Sequence, residues 1–261
     1  MVRAFGITDK GGVRPTNEDS FAIDERLNLL VVADGMGGHN AGEVASRLAV
    51  DAVLDHVRRD LGGGLVEIWP FGFDESLSIE ANVLRTAVHV ANLQVLEASR
   101  SSSELAGMGT TIVAAIVHHD RVSVAHAGDS RLYIYGSGVR AQGSADLRAL
   151  TVDDSWVADV LANDPAADRT ALQHHPMRHA LTNVIGAVPR TQVHVAEEYL
   201  SGGERLILTT DGVHGTLDDR KIEQVVREGA SPEEIAARLV TGSIARGSRD
   251  NCTAAVAFYD A

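Results

Sequence analysis

The chain has 261 residues, 44% of them hydrophobic and 23% charged, an ordinary globular usage that leaves room for a substantial core and excludes a disordered or fibrous chain. Its 23 Lys and Arg against 36 Asp and Glu give a formal charge of -13, a balance that repels polyanions and argues against nucleic acid as the partner. One cysteine, Cys252, excludes an internal disulfide framework and a thiolate zinc site, and it fits a reducing compartment.

The first ten residues carry no apolar signal core, and the longest unbroken aliphatic run, 112–117, is far short of the ~20 residues of a membrane span. The expectation is a cytoplasmic protein without membrane contact, with one domain over residues 1–261. Near its start, Arg14-Pro15-Thr16-Asn17-Glu18-Asp19 sets an arginine and two carboxylates between a Gly11-Gly12 turn and the apolar Phe21 and Ile23. Alone, that motif reads as surface polarity at the mouth of a strand.

The next strand, 27–33, runs directly into Asp34-Gly35-Met36-Gly37-Gly38-His39. An aspartate at the end of a buried strand is held rigidly, and the glycine after it lets the backbone carbonyl approach a ligand. Helical periodicity covers 41 to about 61 and, beyond the Gly62-Gly63-Gly64 loop, 78 to about 99, where Leu84, Ala87, Val88, Ala91 and Val95 share one face. Trp69, Phe71 and Phe73 between them read as core packing rather than a docking surface.

Strands follow at 110–117, 122–127 and 131–135, separated by connections too short for a helical crossover, so an antiparallel meander is predicted and a doubly wound parallel sheet excluded. Gly136-Ser137-Gly138 is a turn. Residues 153–180 mix a short helical pattern with Asn163-Asp164-Pro165 and His174-His175-Pro176 and are predicted to be a flap over a site. A strand at 205–209 runs into Asp211-Gly212. Ser231-Pro232-Glu233-Glu234 opens a helix with a capping box, and Arg249-Asp250-Asn251 precedes a last strand at 253–259.

Aspartates thus recur at strand ends far apart in sequence: Asp34, Asp129, Asp211 and Asp250. A helix cap would explain Asp34 alone but not the recurrence. Converging at one edge of a β-core, such carboxylates offer only oxygen ligands, which select Mg2+ or Mn2+ over zinc. His118-His119 and His174-His175 lack the spacing of a helical zinc motif and read as turn residues, while His126 and His179 carry no assigned role.

The ordered series R-P-T-N-E-D, V-A-D-G-M-G-G-H, G-M-G-T-T, G-D-S-R, L-T-N-V-I-G, T-T-D-G-V and R-D-N-C-T-A, spanning Arg14 to Thr253, resembles the motifs of the PPM family, the bacterial type 2C Ser/Thr phosphatases. That resemblance implies an α+β fold, a central antiparallel β-sandwich of two sheets flanked by helices on both sides in four αββα layers. It implies that Asp34 bridges two metals, that Asp211 and Asp250 complete the first site, and that the Gly35 carbonyl and Glu18 serve the second. Asp129 would join Asp211 at a third, weaker site, for two or three Mn2+ or Mg2+ ions in all. Arg14 would grip the substrate phosphate, with Asp19 and Asn251 orienting the ligands.

The implied reaction is hydrolysis of phosphoserine and phosphothreonine by direct attack of a metal-bridging water, without a phosphoenzyme; Cys252 is then a small buried residue. Animal relatives carry a histidine directly after the Asp-Gly pair, where this chain has Met36, so His39 and a metal-bound water stand as equal candidates for protonating the leaving oxygen. The implied partners are Ser/Thr-phosphorylated proteins and a cognate Ser/Thr kinase, with the enzyme acting as a monomer and substrate choice residing in the flap. A non-catalytic phosphoprotein-binding member of the same fold is the alternative, disfavoured by the intact Asp34, Asp211, Asp250 and Arg14. A binuclear phosphodiesterase is disfavoured by the net charge.

Overall fold

A computed structural model describes residues 2–38, 41–63, 68–136 and 146–260. One sheet takes strands β1 (Val2–Asp9), β11 (Cys252–Tyr259), β10 (Arg205–Thr209), β7 (Arg131–Gly136) and β8 (Asp146–Ala149) in that spatial order. The other takes β2 (Asp19–Asp24), β3 (Leu29–Met36), β5 (Ile112–His118), β6 (Arg121–Ala127) and β9 (His194–Tyr199), with the short β4 (Gly109–Thr110) added to β3. All pairings are antiparallel.

The two sheets face each other across Leu30, Val32, Val113, Leu132, Ile134, Leu206 and Leu208, all fully or almost fully buried. The alternate residues of the same strands point outward to helices. Leu29, Val31 and Ala33 of β3 pack on α1 (Ala41–Gly62) and α2 (Ile79–Ser101), while Ile207 and Val256 pack on α6 (Asp219–Glu228) and α7 (Pro232–Ala245). Strands buried on both faces read as unbroken apolar runs, which is why β3, β5 and β10 stand out in the sequence. The result is the expected four-layer αββα sandwich.

Helix boundaries follow local chemistry. Ser78 caps α2 by accepting from the Ala81 amide, and its predicted face is buried throughout. Ser231 caps α7 by accepting from the Glu234 amide, Pro232 occupies the first turn, and the Glu234 carboxylate accepts from the Ala230 amide. The loop prediction at Gly62-Gly63-Gly64 and the turn at Gly136-Ser137-Gly138 fall partly outside the described residues.

The predicted meander is corrected at its third strand. β5 and β6 form a hairpin, but β7 belongs to the opposite sheet, between β10 and β8. Gly128, with φ +100, turns the chain across the sandwich, and a Cβ there would meet Thr111 at 2.7 Å. Asp129 therefore sits on a bridge between sheets rather than in a hairpin turn, which brings it to the same edge as the other strand-end aspartates.

Residues 153–180 leave and rejoin this frame at one point. The Trp156 amide donates to the Ala180 carbonyl and the Thr182 amide to the Asp154 carbonyl, each at 2.9 Å. Between those ties lie α3 (Trp156–Asn163), none of whose residues is buried, and α4 (Arg169–Gln173). Arg131 grips Asp153 through two bonds of 2.8 and 2.7 Å, fastening the segment beside Asp129.

Candidate metal centre

Five chain segments meet at one edge of the sandwich, and backbone contacts hold them in place. The Gly35 amide donates to the Glu18 carbonyl at 3.0 Å, joining the N-terminal motif to the end of β3. A Cβ on Gly35 would collide with the Gly42 carbonyl, and one on Gly212 with the Asn251 carbonyl. Both Asp-Gly pairs thus need glycine because another main chain passes directly over them.

Asp34 is anchored through its backbone. Its amide donates to the Thr111 hydroxyl at 3.0 Å, and its carbonyl accepts from the Thr110 hydroxyl at 2.8 Å and the Thr111 amide at 2.9 Å. Asp211 opens the short helix α5 (Asp211–His214), one residue after the end of β10. Asn251 ties the last segment to the first: its amide nitrogen donates to the Lys10 and Thr16 carbonyls at 2.9 Å each, and its oxygen accepts from the Glu18 amide at 2.8 Å. The loop that carries Arg14 and Glu18 is therefore fixed to the segment that carries Asp250.

The side chains then crowd. Burial, followed by the charges of Asp19, Asp211, Asp129 and Asp250, holds the Asp34 carboxyl well above its ordinary range, although part of its surface remains accessible. Burial and the neighbouring Asp250 raise Asp211, while a hydrogen bond to Asp34 and the charge of His179 at the end of the flap oppose the shift. Burial and Asp211 push Asp129 up to about 7, and burial is the main cause that raises Glu18. Asp19 rises to about 7 through burial, even though the Thr210 and Thr253 hydroxyls donate to its Oδ2 at 2.9 and 2.6 Å.

Arg14 is the cation facing this group, donating to Asp250 Oδ2 at 2.6 Å with 48% of its side chain exposed. Asp19 Oδ1 and Asp211 Oδ1 are buried and have no hydrogen-bond partner. Raised carboxyls and orphaned oxygens around a mouth with one arginine form the donor set a hard divalent cation satisfies. Among the described residues no three His, Cys, Asp or Glu side chains gather around a single point. Mg2+-type ions do not require such a cage, since they keep several waters and are held through one or two carboxylates together with substrate phosphates.

The structure brings Arg14, Glu18, Asp19, Asp34, Gly35, Asp129, Asp211, Asp250 and Asn251 to this one edge. His39, considered as a proton donor, lies outside the described residues. Cys252 is buried with its thiol pushed up to about 11, mainly by burial, which fits a packing residue. Sequence reasoning gave no role to Thr110, Thr111, Thr210 and Thr253, which hold Asp34 and Asp19. Their sequence signal is their place inside the G-M-G-T-T, T-T-D-G-V and R-D-N-C-T-A motifs.

Comparison with known proteins identifies the family and agrees with the fold. A family model for protein phosphatase 2C matches residues 14–240. The serine/threonine phosphatase stp of Listeria monocytogenes is 30% identical over 252 residues, 94% of this chain and 91% of that protein. The crystal structure of the serine/threonine phosphatase Stp1 from Staphylococcus aureus superposes with a TM-score of 0.84 at 29% identity, covering 100% of this chain and 96% of that one. The catalytic domain of the serine/threonine protein phosphatase PstP, solved in complex with two manganese ions, gives a TM-score of 0.79 at 28% identity, covering 100% and 99%.

Proposed function

The chain belongs to the protein phosphatase 2C family, and on that premise we propose that its acidic edge hydrolyses phosphoserine and phosphothreonine in proteins with the help of divalent cations. The observation that carries this reading is the set of raised carboxyls, Asp34, Asp211, Asp129 and Asp19, with two orphaned buried oxygens, facing Arg14.

Asp34, Asp211, Asp250 and the Gly35 carbonyl would hold two ions, Asp34 bridging them, with Glu18 at the second. Asp129 with Asp211 would take a third. Bound there, such ions lower the pKa of a coordinated water enough to supply hydroxide near neutral pH. Asp19, fixed by Thr210 and Thr253, and Asn251, fixed to Lys10 and Thr16, keep the ligand-bearing segments in register.

Arg14 uses one of its five N–H donors on Asp250, and its exposed guanidinium has others for two phosphate oxygens. That contact orients phosphorus and offsets charge as the ester breaks. Met36 has no ionisable proton, so the leaving serine or threonine oxygen would take one from His39 or from a metal-bound water.

Residues 1–261 act as a single catalytic domain and a monomer, with residues 153–180 as the flap that ranks substrates and a Ser/Thr kinase as the opposing enzyme. No helix among the described residues is long and apolar enough to cross a membrane, in keeping with the cytoplasmic placement. The non-catalytic alternative is not favoured, because every proposed ligand is present. Hydrolysis of p-nitrophenyl phosphate and of a phosphoserine peptide should require added Mn2+ or Mg2+ and stop with chelator; robust turnover in chelator overturns the reading.

A further inference from the structure

A cavity of about 480 Å³ lies beside the metal centre and takes no part in the chemistry described above. Its near end is Met36, directly after Gly35, and Gly109, which pairs with Met36 in the β3–β4 ladder. From there it runs between the loop before β4 and the C-terminal half of α2, walled by Met108 and Leu96, which are 1% and 7% exposed. A space of this size accepts more than one side chain. Methionine walls adapt to different shapes, which suits a site that meets varied sequences.

One lining residue is charged. Arg100, in the last turn of α2, is exposed and has no ion-pair partner among the described residues, on a chain with a formal charge of -13. A cation at a helix C-terminus suits the helix dipole, but the dipole does not account for the apolar cavity beneath it. Apolar walls leading to a free guanidinium match a side chain with an aliphatic stem and an acidic tip.

Met36 directly follows Gly35, and Gly109 directly precedes Thr110, whose hydroxyl donates to the Asp34 carbonyl, so the near end of the cavity adjoins the metal-binding edge. We propose that this cavity is the subsite for residues flanking the phosphoserine or phosphothreonine, and that Arg100 makes it select an acidic side chain there. The inference rests on the phosphatase reading and adds a specificity-determining residue to it.

The test uses phosphoserine peptides identical except for Glu or Lys within a few residues on either side of the phosphate, with p-nitrophenyl phosphate as a substrate too small to reach the cavity. Wild-type enzyme should prefer the Glu peptide by about threefold in kcat/KM, expressed in KM and stronger at low salt, as for a partly exposed ion pair. Arg100→Lys should keep that order and Arg100→Glu reverse it, with p-nitrophenyl phosphate turnover unchanged in both. An identical peptide ranking in all three proteins overturns the proposal while leaving the phosphatase reading intact, and so does a loss of p-nitrophenyl phosphate turnover in Arg100→Glu. Absence of turnover by the wild-type protein with Mn2+ overturns both.

Discussion

Asp34 and Asp211 are buried side by side with an excess of like charge, so each is stabilised by anything that removes charge from the pair. Asp34→Asn removes that charge and, with it, the bridging carboxylate. Phosphatase activity should fall to the level of chelator-treated wild type, while the melting temperature of the metal-free protein rises. A general loss of stability in that variant would mean that Asp34 is held for folding instead. Asn251→Ala tests the residue that positions rather than binds: it frees the Lys10 and Thr16 carbonyls and the Glu18 amide. Outer ligand-orienting groups of this kind typically change metal affinity by roughly 10- to 100-fold. Calorimetric Mn2+ titration should show that weakening, and an unchanged affinity would remove Asn251 from the site.

At the scale of elements, the flap is tied down by few contacts relative to its length. The paired Arg131–Asp153 bonds and the Asp154 side chain, which accepts from the Gly128 amide and the Asn183 side chain and contacts His194 Nε2, form its root. Asp153→Asn removes the charge of one partner of a part-buried bidentate pair. Relative kcat/KM across a phosphopeptide panel should reorder, with p-nitrophenyl phosphate turnover within a fewfold of wild type; an unchanged order contradicts a role of the flap in substrate choice. This root was not legible from the sequence, since Asp153 and Asp154 look like any acidic turn until Gly128 is seen to cross between sheets. β3, β5, β10 and α2 were legible because burial on both faces, or a long 3.6-residue period, leaves an unambiguous pattern. β1 and β9 are half-exposed along most of their length and β8 has four residues, so their patterns are weak. α6 buries only Ile222, Val225 and Val226, too short an apolar set to declare itself. The metal-centre aspartates could be read because they sit at the ends of buried strands, whereas the threonines that hold them, though they fall inside the quoted motifs, carry no charge that would declare their role.

For the whole molecule, the acidic edge makes stability depend on pH in a direction opposite to that of most acidic proteins. Asp19 and Asp129 rise from an ordinary 3.8 to about 7, and Asp34 and Asp211 also move upward. A carboxyl whose folded pKa lies above its unfolded value binds more protons in the native state, so its contribution is fully present below the unfolded pKa and is lost as pH rises through the folded one. The window therefore runs from about pH 4 to about pH 7, where the metal-free protein must deprotonate buried, mutually repelling groups. Each pKa unit corresponds to about 1.4 kcal/mol, so even a fraction of these shifts amounts to several kcal/mol. In chelator, the melting temperature should then fall by on the order of 5–10 °C between pH 5.5 and 8, on the usual scaling for a domain of this size. Divalent cations act in the opposite sense, because they bind the ionised carboxylates and leave the unfolded chain almost untouched. With millimolar Mn2+ the decline should flatten or invert, and the stabilisation by metal should grow with pH. Thermal melts at matched ionic strength with and without Mn2+ decide the point: a metal-free protein most stable at pH 8 would show that these carboxyls are already ionised and compensated by neighbours, and that the acidic edge is not poised for cations.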